Sequence, residues 1–86
     1  MSELKTVRVV NLHPRMEDTV LLDWLKQEGE AVRHGDPLYL LETRKGVFEV
    51  SSEHDGCLER LLVAAGAMVA ADQEIALIRL VCDDGD

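Results

Sequence analysis

An internal repeat with a period of 37 residues constrains the fold of this chain more than any other feature. Apolar residues and one glycine recur at this spacing, whereas most charged residues do not. The matching positions are Leu21-Leu22-Asp23-Trp24-Leu25 with Leu58-Glu59-Arg60-Leu61-Leu62, Gly29 with Gly66, Val32 with Val69, and Leu38-Tyr39-Leu40-Leu41 with Ile75-Ala76-Leu77-Ile78. The repeat predicts two similar half-domains, each a strand, a turn and another strand, packed face to face around one core with approximate two-fold symmetry.

Two windows, Met16 to Val32 and Leu58 to Leu80, also have the apolar spacing of amphipathic helices. Gly29 and Gly66 would then lie inside helices and cost about 1 kcal/mol each relative to alanine. Turn sequences that contain glycine also recur at short intervals, which is typical of short strands. We therefore predict an all-β fold. The predicted strands are Val7–Leu12, Val20–Lys26, Pro37–Thr43, Val47–Ser51, Gly56–Leu62 and Glu74–Leu80.

Length and charge restrict the classes of function. The 86 residues predict a single domain over 1–86, with a core from about 7 to 80 and an acidic tail at 83–86. The net charge of −8 argues against nucleic acid and against an anionic membrane surface as partners, because both require a basic patch. No apolar run approaches the ~20 residues of a membrane span. We expect Cys57 and Cys82 to stay reduced, because two cysteines are too few for a disulfide framework.

A lysine lies at the turn of a predicted β-hairpin between Leu40 and Val50. Apolar and polar residues nearly alternate on both sides of Arg44-Lys45-Gly46. Gly46 can adopt the positive φ that a short connection often needs. This arrangement predicts that Lys45 is held out in water on a rigid mount, which suits an amine that another protein modifies. Glu42 and Glu49 flank the turn and are expected to lie on a solvated face.

Further motifs occur in a fixed order around this hairpin. They are Pro14-Arg15-Met16, the apolar stretch Val20 to Leu25 with Trp24, Glu28-Gly29-Glu30-Ala31-Val32, Gly35-Asp36-Pro37-Leu38, Glu42-Thr43-Arg44-Lys45-Gly46, Glu49-Val50, Ser51 and Gly56. Each motif is weak alone. In this order and spacing, from Val7 to Ile78, the sequence resembles a lipoyl domain of the biotinyl/lipoyl carrier family.

The resemblance implies a flattened β-barrel or sandwich of two four-stranded sheets with pseudo-two-fold symmetry. It implies that Lys45 forms an amide with lipoic acid and that Glu42, Thr43, Arg44 and Gly46 contribute to recognition. The implied partners are a lipoate ligase or lipoyl transferase and the three components of a 2-oxo acid dehydrogenase complex. Those components are a thiamine-diphosphate dehydrogenase, an acyltransferase and a dihydrolipoyl dehydrogenase. The chain would then be a monomeric carrier rather than an enzyme, in the cytoplasm, or in the mitochondrial matrix if it is excised from a eukaryotic precursor.

The sequence departs from the lipoyl pattern beside the lysine. Arg44 replaces an acidic residue, which reverses a charge and should alter what partner enzymes encounter; Gly46 replaces an alanine, and Thr19 replaces a frequent glycine. Two alternatives therefore stay open. One is a biotin carrier of a carboxylase, although biotin acceptors usually have methionine on both sides of the lysine. The other is an interaction module that kept the fold but is not modified.

Overall fold

The computed structural model describes residues 3–10 and 19–80, and within these ranges the chain forms strands and turns. The strands are β1 (Leu4–Arg8), β2 (Val20–Trp24), β3 (Ala31–Val32), β4 (Pro37–Thr43), β5 (Gly46–Ser51), β6 (Gly56–Leu61) and β7 (Glu74–Arg79). The described ranges contain no helix, so the helical interpretation of the two amphipathic windows does not apply there, and no helix in them could cross a membrane. The Pro14-Arg15-Met16 motif, Cys82 and the acidic tail lie outside the described residues.

The strands form two antiparallel sheets. One sheet has the order β1-β7-β6-β3, and the other has the order β2-β4-β5. Met68 forms a single bridge with Val20 next to β2, at the edge where a fourth strand of the smaller sheet is expected. The all-β sandwich is therefore confirmed, with four strands in one sheet and three strands plus this bridge in the other.

The backbone hydrogen bonds repeat with the sequence period. The Gly29 N–H donates to the Leu58 carbonyl at 2.7 Å, and the Gly66 N–H donates to the Leu21 carbonyl at 2.7 Å. Leu58 and Leu21 lie 37 positions apart, as the two glycines do. A backbone N–H in each half of the chain therefore donates a hydrogen bond to a strand of the other half. These reciprocal bonds have the two-fold symmetry that the repeat predicts.

The core consists largely of the repeated apolar residues. Its matched pairs, all buried, are Leu21 with Leu58, Val32 with Val69, Leu38 with Ile75, Tyr39 with Ala76 and Leu41 with Ile78. The pair of Tyr39 and Ala76 is the least symmetric in size. The Tyr39 ring packs against Trp24 with centroids 5.5 Å apart, and the indole N–H donates to the Val63 carbonyl at 2.8 Å.

The expectation that the cysteines stay reduced is wrong for Cys57, which is disulfide-bonded. The argument from the number of cysteines excludes a framework of several bridges. It does not exclude one bond, which needs only two Cα atoms within about 7 Å of each other.

Candidate functional site

Lys45 lies in the tight turn between β4 and β5. Thr43 pairs with Gly46 and Glu42 with Val47, so only Arg44 and Lys45 lie outside the ladder. Neither of these two residues has a positive φ, whereas Gly46 has a φ of 139°. The connection is therefore not a type I′ turn, and the unusual backbone conformation falls on the glycine that follows the lysine.

The Thr43 side chain holds both sides of the turn. Its Oγ1 accepts a hydrogen bond from the Lys45 N–H at 3.1 Å, and the hydroxyl donates to the Gly46 carbonyl at 3.2 Å. Serine and threonine hydroxyls commonly bond the backbone two residues on in this way. Thr43 thus fixes the backbone at Lys45 without contacting the lysine side chain.

The lysine side chain is open to solvent. Lys45 is exposed and forms no salt bridge with any residue in the described ranges. A Cβ built on Gly46 would meet no atom of the described residues within 4 Å, so no described side chain fills the space beside the turn. An enzyme can therefore reach the Lys45 Nζ without moving any described part of this protein.

The hairpin and the outer ends of β1 and β7 lie at opposite ends of the molecule. The two-fold relation matches the Thr43–Gly46 pair with Leu80 and Glu3, where the Leu80 N–H donates to the Glu3 carbonyl at 2.9 Å. The first residue of β2, Val20, pairs with Glu42 near Lys45. The chain then runs to the opposite end of the molecule, which we call the far end, where Ala31 pairs with Cys57. A tether attached at the far end would leave Lys45 pointing away from it.

Comparison with known proteins decides the family. The family model Biotin_lipoyl, described as "Biotin-requiring enzyme", matches residues 5–78. The chain belongs to the biotinyl/lipoyl family. The family match covers every strand of the sandwich except the first residue of β1 and the last residue of β7.

Three relatives illustrate where such domains occur. The mouse pyruvate dehydrogenase protein X component, mitochondrial, is 38% identical over 80 residues, which is 93% of this chain and 16% of that protein. The dihydrolipoyllysine-residue succinyltransferase component of the 2-oxoglutarate dehydrogenase complex from Staphylococcus saprophyticus is 38% identical over 72 residues, covering 84% and 17%. The dihydrolipoyllysine-residue acetyltransferase component of the pyruvate dehydrogenase complex from Zymomonas mobilis is 34% identical over 79 residues, covering 91% and 18%. The chain therefore spans less than a fifth of each of these relatives.

The structure brings together all five site residues predicted from the sequence. Glu42 and Thr43 end β4, Arg44 and Lys45 form the turn, and Gly46 starts β5. Thr19, which replaces a frequent glycine, is fully buried near the lysine end. Sequence reasoning missed the two hydrogen bonds of Thr43, although a threonine two residues before a turn lysine is a recognisable signal for them.

Proposed function

We propose that this chain is a lipoyl carrier domain of a 2-oxo acid dehydrogenase complex, with lipoic acid joined by an amide to the Lys45 Nζ. The observation that supports this most directly is an exposed lysine in a two-residue turn, in a sandwich of the biotinyl/lipoyl family. The attached group fits the site, because Lys45 forms no salt bridge with a described residue and no described residue occupies the space beside Gly46.

In this proposal the chain holds the lipoyl group on Lys45 and exposes it to partner enzymes, and it does not itself catalyse a reaction. The dithiolane of a lipoyl group, when attached, supplies the redox and acyl-transfer chemistry. Thr43 fixes the backbone of the turn, and the solvent-facing Lys45 leaves the arm free to enter a partner's active site. Covalent attachment to a tethered domain raises the effective concentration of the arm at successive active sites without tight binding.

The partners proposed for this chain follow from its relatives. Two of the three relatives are named as dihydrolipoyllysine-residue acyltransferase components, of pyruvate and of 2-oxoglutarate dehydrogenase complexes. We propose that the chain serves the same class of complex as a monomeric carrier and is loaded by a lipoate ligase or lipoyl transferase. The mitochondrial X component supports a matrix location for a eukaryotic version, and a bacterial one would work in the cytoplasm.

The test is the intact mass of the domain after incubation with a lipoate ligase and, separately, with a biotin ligase. We expect a lipoyl-sized gain that Lys45→Arg abolishes, since arginine keeps the charge but cannot form this amide. Lys5→Arg is the matched control, because Lys5 is also a lysine on the sandwich but lies in β1 and is paired with Glu3 at 3.1 Å. A biotin-sized gain would instead identify a biotin carrier, and no gain with either ligase would identify an unmodified interaction module.

A further inference from the structure

The outer face of the lysine-bearing sheet carries a cluster of apolar side chains, with the Glu42 carboxylate between Val20 and Val47. Met68 pairs with Val20, Val20 with Glu42, and Glu42 with Val47, so these four side chains form one row across the sheet. Their strand neighbours Leu21 and Leu41 are fully buried, which places this row on the outer side. In the adjacent row Leu40 pairs with Asp23 and Glu49, and the bulged Leu22 precedes Asp23. We define the outer patch as Val20, Leu22, Leu40, Val47 and Met68.

The outer patch is unusually open for apolar side chains. Met68 is 66% exposed, Val47 is 52% exposed and Leu22 is 39% exposed. Val20 and Leu40 are half-buried between them. Single exposed apolar residues are normal on soluble proteins, whereas contiguous ones mark interaction surfaces.

The other sheet provides an internal comparison, because the two-fold relation gives each patch residue a counterpart. Met68 corresponds to Ala31, Val20 to Cys57, Leu22 to Glu59, Leu40 to Leu77 and Val47 to Leu4. Glu42, within the first row, corresponds to Arg79, which forms a salt bridge with Glu59. The two outer faces are therefore both apolar at four of these five positions. They differ where Leu22 corresponds to Glu59 and where Glu42 corresponds to Arg79, so the lysine side has one more apolar side chain and lacks the Arg79–Glu59 salt bridge.

Three carboxylates, those of Asp23, Glu42 and Glu49, determine the chemistry of the surface that would cover the patch. Glu42 and Glu49 are exposed on the same outer side, and neither forms a salt bridge with a described residue. Acidic groups beside an apolar centre complement a partner with lysine or arginine around an apolar centre. The patch also adjoins Lys45, because Val47 is two residues from it.

We infer that the outer patch is the docking surface for the enzyme that acylates the arm on Lys45. The complementary surface of that dehydrogenase would have an apolar centre flanked by basic side chains. This inference rests on the proposed function and adds to it the surface that the partner contacts.

The test compares Val47→Ser/Met68→Ser with the matched control Leu4→Ser. Leu4 is 47% exposed and occupies the position of Val47 in the other sheet. Each variant is lipoylated first, and its full loading is checked by mass. The KM and kcat for reductive acylation are then measured with purified pyruvate and 2-oxoglutarate dehydrogenase components. We expect the double variant to raise KM by about fivefold or more, as loss of an interface anchor does, and the control to change it less than twofold.

Charge is tested separately with Glu42→Gln/Glu49→Gln. We expect this variant to flatten the dependence of kcat/KM on salt, because steering by opposite charges is screened by ions. If the unsubstituted, fully lipoylated domain is acylated by neither dehydrogenase, the proposed function is overturned, and the docking surface with it. If it is acylated but the double variant and the Leu4→Ser control have equal KM values, the docking surface alone is overturned.

Discussion

At the scale of single residues, Tyr39 is the group whose ionisation is most changed by folding. It is 1% exposed, and its hydroxyl has no hydrogen-bond partner among residues 3–10 and 19–80. Burial raises the pKa of Tyr39 from 10.0 to about 12; a backbone contact with Val10 lowers this pKa, and the nearby Glu53 carboxylate raises it. The Val10 contact does not satisfy hydrogen-bond geometry, so we treat it as a minor influence. Burial of the phenol is therefore the main cause of the shift.

The raised pKa of Tyr39 predicts a loss of stability in base. Between pH 10 and 12 the folded chain keeps the phenol proton while the unfolded chain loses it, so the free energy of unfolding falls as pH rises. The stability that the raised pKa of Tyr39 contributes is fully present below pH 10 and is lost by pH 12. The total decrease in the free energy of unfolding is about 3 kcal/mol. Urea unfolding at pH 9 and pH 11.5 measures it, with Tyr39→Phe as the comparison. Because Tyr39 is the only tyrosine, the variant should lose less stability over this interval. Equal losses in the two proteins would contradict the assignment.

At the scale of elements, the Thr43 side chain supports the turn of the β4–β5 hairpin. Thr43 bonds the backbone on both sides of the turn, through the Lys45 N–H and the Gly46 carbonyl. The strands alone fix the register up to the Thr43–Gly46 pair, but they do not fix the two residues beyond it. The Thr43 hydroxyl therefore helps to hold the backbone conformation in which Lys45 is presented.

Thr43→Val should slow lipoylation without unfolding the domain. Valine keeps the β-branched shape but removes both hydrogen bonds, each worth about 1 kcal/mol in net terms. If both bonds order the turn for the ligase, the second-order rate constant should fall by up to about thirtyfold. Thr43→Ser is the control, since it keeps the hydroxyl and should retain most of the rate. The measurement is the rate of lipoyl mass gain at limiting ligase, with the far-UV CD spectrum recorded for each variant. A Thr43→Val rate equal to that of the unsubstituted domain would show that the strands suffice.

The elements also show what the sequence could and could not predict. Strong alternation and a turn glycine predicted the hairpin, and β4 has its predicted bounds, Pro37–Thr43. β3 was not predicted, because two residues, Ala31–Val32, are too few to show a period. The first strand was predicted to begin at Val7, where an apolar run starts. It lies over Leu4–Arg8 instead, because backbone pairing with β7 rather than hydrophobicity defines it. Val9 is buried but follows the end of this strand.

Features that depend on which residues are neighbours in three dimensions could not be predicted from the sequence. The outer patch was not predicted, because Val20, Leu40 and Val47 look like ordinary strand residues until the sheet places them in rows. The disulfide at Cys57 was not predicted, because spacing along the chain does not report the distance between cysteines. The repeat predicted the symmetric core correctly because core positions must match in size and polarity. The same repeat carries no information about the outer faces.

At the scale of the whole molecule, the two halves are interlocked rather than side by side. Gly29 and Glu30 of the first half pair with Leu58 of the second, while Gly66 and Ala67 pair with Leu21. Neither half can therefore make all of its backbone hydrogen bonds without the other half. The order in which the chain visits the strands matters less than the presence of all of them, and the Leu80–Glu3 hydrogen bond holds the outer ends of β7 and β1 together.

This architecture predicts that a circular permutant should fold and be lipoylated. A glycine-serine linker would join Asp86 to Met1, and the chain would be opened between Ala64 and Ala65, which are exposed in a turn. The opened turn loses one hydrogen bond, from the Ala67 N–H to the Ala64 carbonyl, and all strand pairs remain. We expect a β-type CD spectrum, a lipoyl-sized mass gain with lipoate ligase, and an unfolding free energy lower by about 1–2 kcal/mol. The control is opened between Leu40 and Leu41 in β4, which interrupts the central strand of the smaller sheet and should not fold. If neither permutant folds or gains a lipoyl group, the order of the strands along the chain is needed as well as their pairing.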